Sequence, residues 1–358
     1  MPFSHHSHSG QFCGHARNTL EEMVRTAISR KFRVFALTEH MPRNRYCDLY
    51  PEESLMGCVD DQIEANQTPA DLYKNFAAYH KEATRLKQAY ESEITILIGF
   101  ECDYIRPSST AAIEDLLSHY RCDLFVGSVH HVHAIPVDYD RPLYEKARKA
   151  AGGTDELLFQ DYFDIQFDML RALKPPVVGH FDLIRLKSDD PNCNFQQWKG
   201  VWERILRNLA FIQSYGGLME LNSASLRKGL SQPYPNAEIS KAFLEKGGRF
   251  TLSDDSHSVD EVMLNYDRVL RFVKDVGIST LHFLERGEAS SDSRFPNVAV
   301  SVIPTSEWEQ STSPPVPKRM SLRCSLESEL NDQGESVMAS DIEKRQLLDT
   351  LHVLQMTG

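Results

Sequence analysis

Six short apolar runs recur along this chain, and each runs straight into a polar cluster. Arg33–Thr38 leads to Glu39-His40, Ile94–Ile98 to Gly99-Phe100-Glu101, and Asp123–Val129 to His130-His131. Pro176–Gly179 leads to His180, Gly217–Leu221 to Asn222, and Arg249–Leu252 to Ser253-Asp254-Asp255-Ser256-His257. Runs of this length and composition predict buried strands. Between them lie helical patterns: Thr19 as a cap with Glu21 and Glu22 in the first turn, then 71–90, 111–119, 156–173, 198–215 and 239–245. Counting one strand at the N-terminus, seven strands alternate with helices, which predicts a parallel sheet in an α/β protein. The clusters fall at the C-terminal ends of the strands, where α/β barrels keep their active sites.

With 358 residues, 41% of them hydrophobic, the chain can bury a full-sized core, and one large domain with extra segments fits that length. The repeating pattern covers 1–287. A long Pro-, Asn- and Asp-rich segment at 41–70 interrupts it and reads as a functional loop, such as a lid over a site. Thr280–Leu284 is a weak candidate for one more element. From 288 to 340, Ser, Pro and charge replace apolar residues, predicting a disordered linker. A short amphipathic helix is predicted within 341–358, on Ile342, Leu347, Leu348, Leu351 and Leu354.

A net charge of −12 argues against nucleic acid or an anionic membrane as partner, but leaves room for a small phosphorylated substrate needing only local cations. Seven cysteines without paired short spacing, and a start lacking a basic and apolar leader pattern, lead us to expect reduced thiols and a cytoplasmic location. No stretch approaches the ~18 apolar residues of a membrane span.

The polar clusters contain His6, His8, His15, His40, His130, His180 and His257, half of the chain's fourteen histidines, together with Glu101 and Asp255. Taken singly, each has a plain alternative as a solvated or core residue. Gathered at strand ends, imidazole and carboxylate are the donors of a catalytic divalent metal centre. Nine ligands exceed the need of one ion, so a multinuclear centre sharing a bridging Glu is expected, a design suited to clamping a phosphoester. Arg185 and Arg227, just past strand ends, are candidates to neutralise phosphate oxygens.

The ordered set His6-Ser-His8…Cys13-Gly-His15, Thr38-Glu-His40, Gly99-Phe-Glu101, Gly127-Ser-Val-His130-His, Gly179-His180-Phe-Asp-Leu, Glu220-Leu-Asn222 with Leu226-Arg227, and Asp255-Ser-His257 resembles the PHP (polymerase and histidinol phosphatase) superfamily across about residues 3–285. The Gly-Ser-Val-His-His and Asn-x4-Arg-Lys segments resemble its monofunctional histidinol-phosphate phosphatase branch. The resemblance implies a distorted seven-stranded (β/α) barrel with three divalent ions (Zn, Mn or Fe). His6, His8, Glu101 and Asp255 would hold the first ion, Glu101, His130 and His180 the second, and His15, His40 and His257 the third. Of the adjacent pair, His130 rather than His131 takes the ligand role by motif position. It further implies phosphate binding by Arg185 and Arg227, with Glu101 and Asp255 in the catalytic centre. The implied reaction is hydrolysis of L-histidinol phosphate to L-histidinol and phosphate in histidine biosynthesis. Asn222 and Glu39 are substrate-binding candidates, since a substrate bearing an amine and an imidazole calls for an acidic wall, to which Asp103 or acids of the 41–70 loop could also contribute. The alternatives are a phosphoesterase for another small ester or nucleotide, or a non-catalytic metal-binding module.

Overall fold

In the computed structural model, residues 2–50, 68–288 and 294–307 are described, along with Glu53 and the short pair Cys58–Val59 and Gln62–Ile63. The scaffold is α/β with parallel strands. Strands β1 (Phe3–Ser4), β2 (Val34–Leu37) and β3 (Thr95–Ile98) form one sheet in that order. Strands β4 (Glu101–Asp103), β5 (Val126–Ser128), β6 (Val177–Val178), β7 (Leu218–Asn222) and β8 (Arg249–Ser253) form a second, also all parallel. Sequence alternation predicts seven parallel strands; among the described residues there are eight, because the run through Glu101 breaks after Ile98. Gly99 sits at the break, and a Cβ there would lie 2.4 Å from the Leu124 carbonyl oxygen.

The two sheets meet at both edges. On one side Glu101 N donates to Thr38 O at 3.1 Å and Asp123 N to Ile98 O at 2.6 Å. On the other, His5 N donates to Leu252 O at 3.2 Å and Asp255 N to His6 O at 3.1 Å. Strand residues such as Ala36, Leu97, Val126, Val177 and Met219 are fully buried. Strands covered on both faces have no polar face to show, so they read as continuous apolar runs.

Helices cover the outside. Leu20–Ser29 begins with a capping box, Glu22 N donating to Thr19 Oγ1 at 3.2 Å and Thr19 N to Glu22 Oε2 at 2.7 Å. Pro69–Ala89 uses the same device with Thr68 and Asp71. Reciprocal bonds of this kind satisfy backbone donors that the first turn leaves unpaired. Ser109–His119, Asp155–Leu173, Lys199–Tyr215 and Ala237–Glu245 match the periodic segments to within two residues at each end. Helices Arg141–Ala150 and Tyr266–Val276 were not anticipated. None of the described helices is long and apolar enough to cross a membrane.

The expected linker does not begin at 288. Val298–Pro304 is a strand, paired antiparallel with Thr280–Arg286 over seven residue pairs. Beyond Val298, which is buried, burial alternates with the period of a half-exposed strand: Val300 and Val302 face outward, while Ala299, Ser301 and Ile303 are half-buried. Residues 308–358, including the predicted C-terminal helix, lie outside the described residues, as does most of 51–67.

Candidate metal centre

Alternation along an extended N-terminal segment separates neighbouring histidines. His5 turns away from the centre, into the outer layer. Its Nε2 accepts from Leu284 N at 2.9 Å and its Nδ1 meets Thr251 Oγ1 at 3.0 Å. Burial drives its pKa down to about 4, so it is a neutral structural residue. His6 and His8 face the opposite way and converge on Glu101 and Asp255. His6 Nε2 lies 3.4 Å from Glu101 Oε2 and 3.7 Å from Asp255 Oδ1, and His8 Nε2 lies 3.6 and 3.4 Å from the same two atoms.

Glu101 divides its two oxygens between two sets of rings. Oε2 faces His6 and His8, with His40 Nδ1 at 3.0 Å. Oε1 faces His180 Nε2 at 2.8 Å and His130 Nε2 at 3.2 Å, and these two nitrogens are 3.2 Å apart. A third group gathers His15, His40 and His257, with His40 Nε2 and His15 Nε2 3.3 Å apart and Cys13 Sγ 3.4 Å from the His15 ring nitrogens. The residues within each of the sets His6/His8/Glu101, Glu101/His130/His180 and Cys13/His15/His40/His257 bring donor atoms within 4.8 Å of one another.

These residues fit divalent cations. His6 Nε2 and His8 Nε2, the nitrogens turned toward Glu101 and Asp255, are buried with no hydrogen-bond partner, which is costly unless something else satisfies them. Lone pairs of facing imidazoles converge at 3.2–3.3 Å, with carboxylates beside them. Burial works against charge on every group here, yet Glu101, Asp255 and Glu220 overcome it and raise the His6 pKa well above the ordinary value; Glu101 and Asp103 do the same for His130. Glu101 and Asp255 are held well below the carboxylate range, mainly by His6, against the penalty of burial. Burial, then the charge of His8, lowers His40 and His257. Without a cation, protons on His6 and His130 are what balances the carboxylates.

Buried acids that the sequence reading passed over or assigned otherwise hold the rings in place. Glu220 accepts from His180 N at 2.6 Å, Asn222 Nδ2 at 2.8 Å and Ser253 Oγ at 2.7 Å, and meets His6 Nδ1 at 3.2 Å. Asp103 lies 3.4 Å from His130 Nδ1 and 3.1 Å from His131 Nδ1. Of the pair, it is His130 that turns its Nε2 to Glu101 and His180. Glu39 accepts from Ser9 N and Ser9 Oγ at 2.6 and 2.8 Å, with its other oxygen 3.5 Å from His8 Nδ1. Carboxylates behind metal-binding imidazoles fix the tautomer and ring orientation. The signal for Glu220 was available: it shares a strand face with Asn222, two residues on.

Three substrate-binding expectations need correction. Arg185 is buried in a 3₁₀ turn, Leu183–Lys187, and faces away from the centre. Its guanidinium is spent on Asp182 Oδ2 at 2.7 Å, Pro233 O at 2.9 Å and Pro191 O at 3.1 Å, and lies over the Tyr234 ring. Asn222 is fully buried and joins Glu220 to Asp255 Oδ2, 3.4 Å away. Glu39 belongs behind His8, as above.

Arg227, in contrast, reaches the centre. It donates to Asp254 O at 3.0 Å and Asp255 O at 2.7 Å, fastening the turn in which Asp255 takes a φ of 48°. A left-handed aspartate is uncommon and marks a backbone held in place by its surroundings. Arg227 and Lys228 line a cavity of about 420 Å³ whose floor includes Glu101, His130, His180, Asp255 and His257. Tyr50, from the described part of the 41–70 segment, lines it too, with Arg43 over its ring at 4.6 Å.

Comparison with known proteins agrees with this geometry. The PHP domain model matches residues 4–224. The chain is 44% identical over 304 residues to the "Probable histidinol-phosphatase" of Schizosaccharomyces pombe, covering 85% of this chain and 96% of that one. It is 32% identical over 297 residues to the histidinol-phosphatase of Saccharomyces cerevisiae, covering 76% and 88%. Among solved structures, the Lactococcus lactis histidinol phosphate phosphatase, crystallised with Zn, L-histidinol and phosphate, aligns with a TM-score of 0.57 at 20% identity, over 77% of this chain and 93% of that one. The chain belongs to the PHP family and, within it, to the histidinol-phosphatase branch.

Proposed function

We propose that this chain is a metal-dependent phosphomonoesterase that hydrolyses L-histidinol phosphate to L-histidinol and phosphate, as a step of histidine biosynthesis. The observation that carries the reading is Glu101, with one oxygen facing His6 and His8 and the other facing His130 and His180, on the floor of a cavity that also holds Arg227. The names of the S. pombe and S. cerevisiae relatives and the ligands of the L. lactis enzyme support the substrate.

We assign three divalent ions: one to His6, His8, Glu101 and Asp255, one to Glu101, His130 and His180, and one to His15, His40 and His257. Bound there, such ions would acidify the attacking water and neutralise phosphoryl oxygens. The protein's own groups do the rest. Arg227, oriented by the carbonyls of the Asp255 turn and by Glu261 at 3.3 Å, offers its remaining N–H groups to the phosphate, with Lys228 beside it. Glu220, Asp103 and Glu39 hold the rings so that their donor nitrogens point inward. We infer too that the two parallel sheets act as one distorted barrel of seven staves, with β3 and β4 as a single broken stave; the hydrogen bonds at both seams support this. Five described cysteines that form no disulfide support a reducing, cytoplasmic setting.

The test is phosphate release from histidinol phosphate beside a panel of sugar and nucleotide phosphates, using chelator-treated and Zn²⁺- or Mn²⁺-restored protein. Preference for histidinol phosphate, abolished by chelation and restored by metal, is the expected result. Metal-dependent release from the other esters alone refutes the substrate. No release from metal-loaded protein refutes the activity.

A further inference from the structure

Four carboxylates line the cavity: Glu101, Asp138, Asp255 and Glu261. Three are committed. Glu101 and Asp255 face the imidazoles, and Glu261 accepts from His257 N at 2.8 Å and pairs with Arg227. Asp138 is different, because its Oδ1 is buried with no hydrogen-bond partner. That oxygen is turned off the open cavity, so it is the rest of the carboxylate, on a half-buried residue that lines the cavity, that stands ready to accept from a cationic N–H donor.

The backbone fixes where Asp138 stands. His131–Val132 and Ile135–Pro136 pair as a hairpin whose turn residues, His133 and Ala134, have φ of 54° and 58°. Positive φ at both central positions gives the turn the twist that strands need. The chain then returns to the centre, Val137 N donating to His130 O at 2.9 Å. Two residues past Asp138, Asp140 caps helix Arg141–Ala150, accepting from Leu143 N at 2.8 Å. Asp138 is therefore pinned between a bond to His130 and a helix cap. Beside it Tyr139 stacks on Tyr50, ring centroids 6.1 Å apart and planes 18° from parallel. Acid and aromatic faces together suit a cationic or heteroaromatic group, while Arg227 and Lys228 give the same cavity an anion-binding wall.

We infer that Asp138 is the specificity-determining residue that reads the cationic end of the substrate, ammonium or imidazolium, while Arg227 reads the phosphate. This rests on the phosphatase reading above and goes beyond it, by naming the residue that separates histidinol phosphate from esters that carry no cationic group. Neither Glu39 nor Asp103 is free for that task, since both are engaged with histidines behind the centre.

The experiment compares Asp138→Asn and Asp138→Glu with the unsubstituted holoenzyme on histidinol phosphate, phosphoethanolamine and glycerol phosphate. Zinc content serves as the check on the site. A charge-assisted bond lost predicts that Asp138→Asn lowers the preference for histidinol phosphate over glycerol phosphate by about 10- to 100-fold. The loss should fall chiefly on KM, and Asp138→Glu should recover part of it. A parallel loss on phosphoethanolamine assigns the contact to the ammonium; a loss confined to histidinol phosphate assigns it to the imidazolium. An unchanged preference, or equal losses on histidinol and glycerol phosphates, overturns the assignment and leaves the phosphatase reading standing. An unsubstituted enzyme with no preference for histidinol phosphate overturns both.

Discussion

Replacing Glu220 by Gln tests whether a carboxylate out of reach of any substrate governs the metal centre. Both oxygens of Glu220 act as acceptors, one for His180 N and Asn222 Nδ2, the other for Ser253 Oγ and His6 Nδ1. Gln keeps one acceptor and turns the other into a donor. The oxygen stays with His180 N and Asn222, which can only donate here, so the new NH₂ faces Ser253 and His6. The Ser253 hydroxyl can rotate to accept. His6 can adapt only by moving its proton to Nε2, the nitrogen that faces Glu101 and Asp255. A ligand is then lost or held in the wrong tautomer. Changes to groups behind metal ligands typically cost 10- to 100-fold in affinity, so zinc binding by Glu220→Gln should weaken by about 1.4–2.7 kcal/mol. Competition against a chromophoric zinc chelator measures this directly, and circular dichroism of the zinc-loaded variant confirms the fold. A variant that folds and binds all its zinc within twofold of the unsubstituted protein would refute the tautomer argument.

Other outcomes follow from the same structure. Arg185→Met should destabilise the protein by about 3–5 kcal/mol in urea unfolding, because Asp182 is left buried without its partner; an activity loss with unchanged stability would return Arg185 to the active site. Arg227→Ala should lower kcat/KM for histidinol phosphate by roughly 10²–10³-fold and weaken inhibition by inorganic phosphate, and an unaltered phosphate inhibition constant would exclude the contact. Gly99→Ala should cost about 1–3 kcal/mol, since its Cβ meets the Leu124 carbonyl at 2.4 Å and backbone cannot step aside as a side-chain end can. Raised pKa values at His6 and His130 mean that the metal-free site binds protons that metal must displace, so zinc content after gel filtration should fall as pH drops from 8 to 6; zinc content that does not vary over that range would contradict the proton balance.

The convergence of the candidate ligands was legible because their chemistry coincides with their spacing. Imidazoles and carboxylates stand where apolar runs end, and strand ends of a parallel sheet point to one region. The supporting residues were less legible for a geometric reason. Which way a side chain turns after a strand ends depends on the turn that follows, so Arg185 and Arg227 look equivalent in sequence. One falls in a 3₁₀ turn that buries it among carbonyls, and the other on a short helix facing the centre. Glu220 lay hidden in an apolar run, where an acid reads as an anomaly rather than as a hub. Asp138 depended on a hairpin set by positive φ at His133 and Ala134, neither of them a residue that advertises such a turn. Composition points to a linker at Val298–Pro304 because the Ser-rich residues before it dominate locally.

β1 has a consequence for the order in which this protein forms. It pairs with Val34 and Phe35 on one side, while the segment that follows bonds to Leu252 and Asp255 on the other; the hydroxyl of Ser4 reaches the carboxylate of Asp254, 250 positions away. During synthesis His6 and His8 emerge first, yet their partner Asp255 arrives only after most of the chain has left the ribosome. Pairings this distant in sequence close late and slowly. The centre is thus assembled from the two extremes of the folded unit, and metal capture becomes a step that completes folding rather than one that starts it.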